Sequence, residues 1–287
     1  MKIANILYLL PLLSLSGCAL SNNLSPPPNG KTVKVAVVKP ADVDILPMDV
    51  IYRSEKCRDK IFTSAGTITS RAGYHLLTVP FNPEEGSDIV SNNIALDGGG
   101  QCEWKLSNVK FDFQYHNMKK FGPGVKRSIP SDIVFVFDEN SPPRGDGHYD
   151  DVYGVIEIKK HYYPLIRKKN TGEEMLVLSV QGQPMLTYRV HDTNSLVFKP
   201  IFHSEMIVNA IPPKKKGDGY TLIYPNGDEI IDRYFPNSEK TKYDFVKQKG
   251  NPPIFNGGDK QNQVKARRSM APVSSETATG MCVSQDG

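Results

Sequence analysis

The 287 residues carry none of the linear signatures of hydrolases or nucleotide enzymes. There is no G-x-S-x-G nucleophile elbow, no H-E-x-x-H zinc pair and no G-x-x-x-x-G-K-[ST] phosphate loop. Charge of one sign is also missing. Lys and Arg number 35 against 31 Asp and Glu, too even a balance to argue for nucleic acid. Cysteines are few, four in all, and no C-x-x-C or H-x₃-H spacing accompanies them, which argues against zinc. The six histidines, His75, His116, His148, His161, His191 and His203, are scattered one per segment and read as surface or hydrogen-bonded structural residues. After residue 15 no stretch approaches 18 consecutive apolar residues, so no later helix is long and apolar enough to span a bilayer. No long amphipathic helix and no internal repeat is visible. No cofactor, no metal and no catalytic residue is expected, although a site brought together from distant segments only by folding would escape this search.

What is present begins at the N-terminus. Lys2 supplies a positive charge, and Ile3–Leu15 is almost unbroken apolar sequence, too short for a permanent span. A charged start, a short apolar core and a small-residue cleavage site together make a secretory signal. Here the site reads Leu15-Ser16-Gly17-Cys18, which resembles the lipobox of bacterial lipoproteins. The resemblance implies cleavage before Cys18, a diacylglycerol on its thiol and an acyl group, such as palmitate, on its new amine. The alternative is an ordinary signal followed by a chance cysteine. Acyl chains bury CH₂ groups at about 0.8 kcal/mol each, so several chains make a permanent anchor. Ala19 stands where Asp would be the usual inner-membrane retention signal, so the resemblance implies an outer-membrane address on the periplasmic face.

Cys57, Cys102 and Cys282 remain, in a compartment where disulfides form. Cys282 lies in a polar tail, so Cys57 is expected to pair with Cys102, two buried free thiols being the alternative. Such a bridge closes a loop of about 45 residues, worth roughly 4 kcal/mol in the chain-entropy model.

Residues 1–17 therefore read as signal and 18–31 as a lipidated cysteine with a flexible tether. The Pro-rich stretch Ser21–Lys31 is expected to extend without packing. From Thr32 the sequence reads as strand after strand: Thr32–Val38, Val50–Arg53, Tyr74–Phe81, Gln101–Tyr115, Ile133–Phe137, Val152–Ile158, Met175–Val180, Leu186–Val190, Ser195–Phe202, Met206–Ile211, Tyr220–Tyr224 and Glu229–Phe235. Cys102, Trp104 and Leu106 alternate with polar residues, whereas Val109, Phe111, Phe113 and Tyr115 alternate in the opposite phase. That change requires an inserted residue, hence a bulge or short turn at Ser107-Asn108. Ile133–Phe137 is apolar throughout and reads as a central strand covered on both faces. Pro225-Asn226-Gly227-Asp228 is a hairpin signal, since Asn-Gly tolerates positive φ. Only Glu239–Lys249 suggests a helix, of two or three turns. The expected body, 32–249, is all-β, a sandwich or two stacked β subdomains with a break near 138–151. Residues 250–287 lack apolar periodicity and are expected to form a disordered tail.

The acidic stretch Asp138–Asp151 holds oxygens that Ca²⁺ would accept, but not at EF-hand spacing, and reads as a solvated loop between strands. A charged loop on a rigid scaffold is a natural recognition surface, and Asp146, His148, Tyr149, Asp150 and Asp151 are the expected partner-binding residues. Arg144-Gly145-Asp146 is taken as coincidence. Two basic clusters, Lys159-Lys160 with Arg167-Lys168-Lys169, and Lys214-Lys215-Lys216, read as soluble strand ends, with anionic lipid or an acidic partner as the functional alternative.

One stretch goes further. Gly98-Gly99-Gly100-Gln101-Cys102-Glu103-Trp104-Lys105-Leu106-Ser107-Asn108 resembles a pattern of enterobacterial lipoproteins encoded beside type VI secretion effectors, some of which are immunity proteins for phospholipases. The same residues also suit a purely structural role: glycines for a turn, Cys102 for the disulfide, Trp104 for the core. The resemblance implies a non-enzymatic protein that captures a phospholipase effector by stoichiometric binding. A structural or accessory envelope lipoprotein of a secretion or surface-assembly system is the alternative, and a periplasmic enzyme with a fold-assembled site a third class. Labelling cells with radioactive palmitate should mark the protein, and Cys18→Ser should abolish the label and weaken membrane retention.

Overall fold

In the computed structural model, residues 23–127, 131–139, 149–179, 185–236 and 238–250 are described, without the side chains of 131, 132 and 185. The signal, Cys18, Asp146, His148, Cys282 and the tail from 251 lie outside them. Among the described residues the chain is nearly all strand. β1 (Thr32–Val38) buries Val33, Val35 and Val37, with Ala36 buried on the other face, and β2 (Val43–Ile45) follows. β3 (Met48–Phe62) and β4 (Ile68–Val79) form a long hairpin. Next come β5 (Asn82–Pro83), β6 (Ile89–Ala95), β7 (Asp97–Gly99) and β8 (Trp104–Tyr115). β9 (Lys126–Arg127), β10 (Ser131–Val136) and β11 (Asp150–Tyr153) lead to β12 (Ile156–Lys168), after which β13 (Glu174–Ser179), β14 (Met185–His191) and β15 (Ser195–Phe202) complete the main framework. β16 (Val208–Ile211), β17 (Tyr220–Ile223) and β18 (Glu229–Asp232) precede a short helix, α1 (Tyr243–Gln248).

Two sheets stack as an all-β sandwich. One runs β11-β14-β10-β8-β3-β4, with β2 and β7 also on β8; the other runs β18-β17-β16-β12-β15-β1-β6-β5, with β13 on β12 and β9 on β13. Their inner faces share one large core. Phe111 and Phe113 of β8 meet Phe198 of β15 at ring separations of 6.0 and 5.9 Å, and Phe113 meets Tyr162 of β12 at 5.8 Å. Offset and edge-to-face contacts of this kind add to the burial of the rings. That core takes residues from both sides of 138–151, Ile133 and Phe135 before it and Tyr188, Leu196 and Phe198 after it. β10 is interior, and Ile133, Val134, Phe135 and Val136 are all buried, as expected of a strand covered on both faces.

β12 serves two neighbourhoods. Ile156–Tyr162 pairs with β15, whereas from Tyr163 onward its partners are β13 and then β16. Tyr162 and Tyr163 are adjacent and both fully buried, so they enter different cores: Tyr162 the large one, Tyr163 a smaller one with Leu165, Val208, Leu222, Tyr224 and Val246. Tyr163 and Tyr224 donate hydrogen bonds to the carbonyls of Thr241 and Lys240, closing the turn before α1 over the second core.

The phase change in β8 is a bulge. Ile51 pairs with Asn108 but Tyr52 with Leu106, leaving Ser107 as the extra residue. Its buried hydroxyl accepts from Arg53 Nε at 3.1 Å, and its carbonyl accepts from the N–H of Phe137 at 2.8 Å. Val152–Ile158, expected as one strand, is two: Gly154 at φ 70° turns the chain between β11 and β12.

The tether departs from expectation in its middle. Asn23–Ser25 docks on the body: Ser25 N–H donates to the Gly98 carbonyl at 2.8 Å, and Leu24 packs against the large core. The three glycines make room. A Cβ on Gly98 would stand 2.6 Å from Leu24, one on Gly99 2.2 Å from the Ser25 carbonyl, and one on Gly100 2.6 Å from the Asn23 carbonyl. Composition suggested an unpacked linker because Leu24 is a lone apolar residue among polar and proline neighbours; the groove that receives it lies more than seventy residues away.

The β3–β4 hairpin is also longer than its apolar pattern suggested. Beyond Arg53 both strands are mostly polar and, apart from Ser54, Ala72 and Gly73 at the root, largely exposed, a ribbon that leaves the sandwich where β8 begins. Cys57 and Cys102 are bonded, with Cα atoms 5.3 Å apart, and tie the root of this ribbon to the turn before β8. An isolated two-stranded ribbon is marginal in water, so the staple bears on its order. Replacing both cysteines by alanine should lower stability in urea unfolding by about 2–5 kcal/mol, with the β3–β4 ribbon losing amide protection first.

Candidate partner-binding edge

β11, the edge strand at the other end of its sheet from β4, carries Asp150 and Asp151 of the expected recognition surface, and Tyr149 immediately precedes it. Its parallel register with β14 sets Asp151 beside Arg189 and Tyr153 beside His191. Side chains two residues apart on a strand share a face, so Asp151 and Tyr153 flank the same imidazole. His191 Nε2 lies 2.7 Å from Asp151 Oδ1, and its ring stacks on Tyr153 at 4.6 Å and 14°. The carboxylate orients the ring, and the ring supports a tyrosine that is 68 % exposed. Val155, in the turn that follows, is 81 % exposed. Asp150 is exposed, and Tyr149, half-buried, lies under the Arg189 guanidinium at 4.4 Å from its ring centroid. Arg189 also meets Glu139 at 3.4 Å. The result is a fixed aromatic platform with acidic flanks, suited to stacking and charge-assisted hydrogen bonding across a protein interface. Burial pushes the Tyr188 hydroxyl beneath it far above the ordinary tyrosine range, with Asp150 adding to the effect. Tyr188 therefore acts as neutral packing.

Asp146 and His148 lie outside the described residues. Sequence reading missed Tyr153, Val155, Arg189 and His191 as members of this surface. Arg189 and His191 come from a strand some forty residues downstream, and only the β11–β14 pairing brings them here.

The basic clusters are largely spent on local partners. Lys168 and Lys169 pair with Glu174 and Glu173 at 3.7 and 2.7 Å, and Arg167 lies over the Tyr220 ring at 5.5 Å. Lys169 and Lys126 together hold the Glu173 carboxyl down to about 2. Lys214–Lys216 are exposed in a turn. A cleft of about 240 Å³ lined by Lys39, Asp44, Ile45, Pro47, Pro80, Phe81 and Val90 falls below the usual range for small-molecule sites, roughly 300–1,000 Å³. Among the described residues no three His, Cys, Asp or Glu side chains converge as a metal set.

Two histidines that look unrelated in sequence do meet. His161 Nδ1 and His203 Nε2 are 2.9 Å apart, and Tyr243 of α1 stacks on both rings at 4.3 and 4.4 Å. One ring donates and the other accepts, which requires an unprotonated acceptor nitrogen. Desolvation lowers the pKa of both; Lys159 and Lys247 add to this at His161 against an opposing Asp244, and His161 and Lys247 add to it at His203.

The chain matches no protein-family profile, no curated protein and no solved structure with which it was compared.

The histidine stack makes stability depend on pH. The unfolded state binds protons near the ordinary histidine pKa of about 6.5, while the folded state resists them. Stability should hold above that value and fall as pH drops through it toward the depressed folded values. Urea titrations of the parent should show this loss between about pH 7 and 5. His161→Phe/His203→Phe, which keeps three stacked rings but cannot titrate, should flatten that part of the profile.

Proposed function

We propose that this is a lipid-anchored binding protein of the periplasmic face of the outer membrane. In this reading it is an immunity protein that neutralises a type VI secretion phospholipase by stoichiometric capture. The observation that carries the reading is the β11 edge. Tyr153 and Val155 protrude from a rigid sandwich, beside carboxylates and an imidazole fixed by hydrogen bonding and stacking. Exposed aromatics held in one rotamer lose little entropy on docking, and such residues dominate binding energy when a partner covers them. An inhibitor of this kind needs no catalytic group of its own. It needs a scaffold that does not yield and a contact surface ready before the partner arrives, and the cross-sheet aromatic core supplies the first. The lipobox and the G-G-G-x-C-x-W stretch support the location and the type of partner by resemblance alone.

Purified body mixed with the phospholipase encoded beside its gene should elute as a one-to-one complex and abolish lipid hydrolysis. Tyr153→Asp/Val155→Asp should weaken the complex by about 2 kcal/mol or more, roughly thirtyfold in Kd, without lowering the melting temperature. Full inhibition by this variant would move the contact elsewhere, and hydrolysis unaffected by the parent protein would dismiss the inhibitory role.

A further inference from the structure

The stapled ribbon has an unusual tip. Ile61–Ser70 contains no charged residue, and Phe62 and Ile68, paired across the strands, are 78 % and 63 % exposed. Just behind the tip stand Lys60, facing Ser70, and Arg71, facing Asp59, and Lys56 and Arg58 lie nearer the root. Glu55 and Asp59 pair with Arg58 and Arg71, and Glu103 of the turn before β8 pairs with Lys56, so the positive excess of the ribbon rests on Lys60. The turn itself is held by hydrogen bonds between Thr63 and Thr67. A disulfide-tied arm that ends in bare aromatic and aliphatic side chains, with Lys60 just behind them, has the chemistry of a lipid-interface contact: apolar groups for acyl chains, a cation for anionic headgroups.

The direction of the arm adds to the argument. Asn23 rests on Gly100, two residues from Cys102, and Cys102 is bonded to Cys57 at the ribbon root. The chain back from Asn23 therefore departs from the place where the ribbon leaves the sandwich. Five residue steps separate Asn23 from Cys18, a reach of at most about 18 Å. Five strand residues separate Cys57 from Phe62, about 16 Å. An acyl anchor at Cys18 and the ribbon tip can thus meet one bilayer surface.

We propose that the β3–β4 ribbon is a second membrane contact, seating Phe62 and Ile68 among phospholipid acyl chains with Lys60 at anionic headgroups. The proposal rests on the reading of Cys18 as acylated. With the lipid it would fix the orientation of the body, since one flexible attachment leaves rotation free and two do not.

The test uses the full lipidated chain carrying Cys282→Ser, reconstituted on phosphatidylethanolamine–phosphatidylglycerol vesicles. An environment-sensitive dye is placed through Ser64→Cys at the tip or, as control, through Ser87→Cys at the opposite end of the sandwich. The tip dye should shift to the blue and be quenched by brominated acyl chains, less so without phosphatidylglycerol; the Ser87 dye should report water. Phe62→Asp/Ile68→Asp should remove the quenching. In the Cys18→Ser background it should lower vesicle partitioning about tenfold or more. A tip dye that remains in water on lipidated protein overturns the ribbon contact. Absence of palmitate incorporation with a quenched tip would instead overturn the anchor and leave the ribbon standing.

Discussion

The corner from Gly98 to Trp104 is the constraint on which the rest of the architecture depends. Within seven residues it receives the incoming N-terminal segment, staples the ribbon and delivers an indole to the core. Each task excludes the ordinary alternatives at its position. Gly99 and Gly100 have φ of 57° and 69°, and all three glycines lie so close to other backbone or core atoms that a Cβ has nowhere to go. Trp104 fills the space between the His75 ring and the sandwich interior, and a side chain on Gly73 would strike both it and the Cys57 carbonyl. The bulge at Ser107 then rotates the remainder of β8 by one position, so that Val109, Phe111, Phe113 and Tyr115 face the second sheet. Without that extra residue the aromatic set would point to the outer face, and the contacts to Phe198 and Tyr162 would not form.

β12 answers a different problem, how one sandwich carries a second small core. A strand can bury adjacent residues only if both faces are covered. Tyr162 and Tyr163 meet this because β12 changes neighbours between them, leaving β15 for β13 and β16. Buried hydroxyls need partners or an apolar cost is incurred. Tyr163 finds the Thr241 carbonyl, and through it the short helix is pinned to the sheet. The histidine pair lies at the same junction under Tyr243, which explains how a six-residue helix, far too short to persist alone, is held in place.

Much of this was legible because period-two alternation leaves a plain record wherever one face of a strand is buried. β8 could be read in this way, and its phase break at Ser107-Asn108 called for a bulge or short turn there; β10 was legible instead as an unbroken apolar run. The disulfide followed from arithmetic on four cysteines. Where burial is absent the record fades. The distal halves of β3 and β4 face water on both sides, so nothing marks SEKCRDKIF as strand except its pairing across a distant turn. Leu24 is equally silent, since the groove made for it depends on three glycines that read only as a turn. The candidate edge was half visible: Asp150 and Asp151 stand in a charged segment that draws the eye, whereas His191 and Arg189 reach them by a parallel pairing that no local pattern encodes.

The strand directions bind these pieces into one functional geometry. β8 begins at the glycine corner, and β10 pairs with it antiparallel, so β10 ends near that corner's level. β14 and β11 run parallel to β10, which brings His191 and Tyr153 to the same end of the sandwich as the ribbon root and the docked N-terminal segment. Four strand spacings separate β11 from β3, about 19 Å, so the two surfaces are neighbours that do not overlap. On the proposed reading, an anchor and a ribbon at one side of this end leave Tyr153 and Val155 facing the bilayer from a standoff of roughly 16 Å, the reach of the ribbon. A folded domain of about 100 residues already has a radius of gyration of about 13 Å, so on this reading a phospholipase acting on that leaflet would meet this edge rather than pass beneath it. A contact surface there would intercept such an enzyme where its substrate lies, and the proposed acyl anchor would hold the protein at that interface.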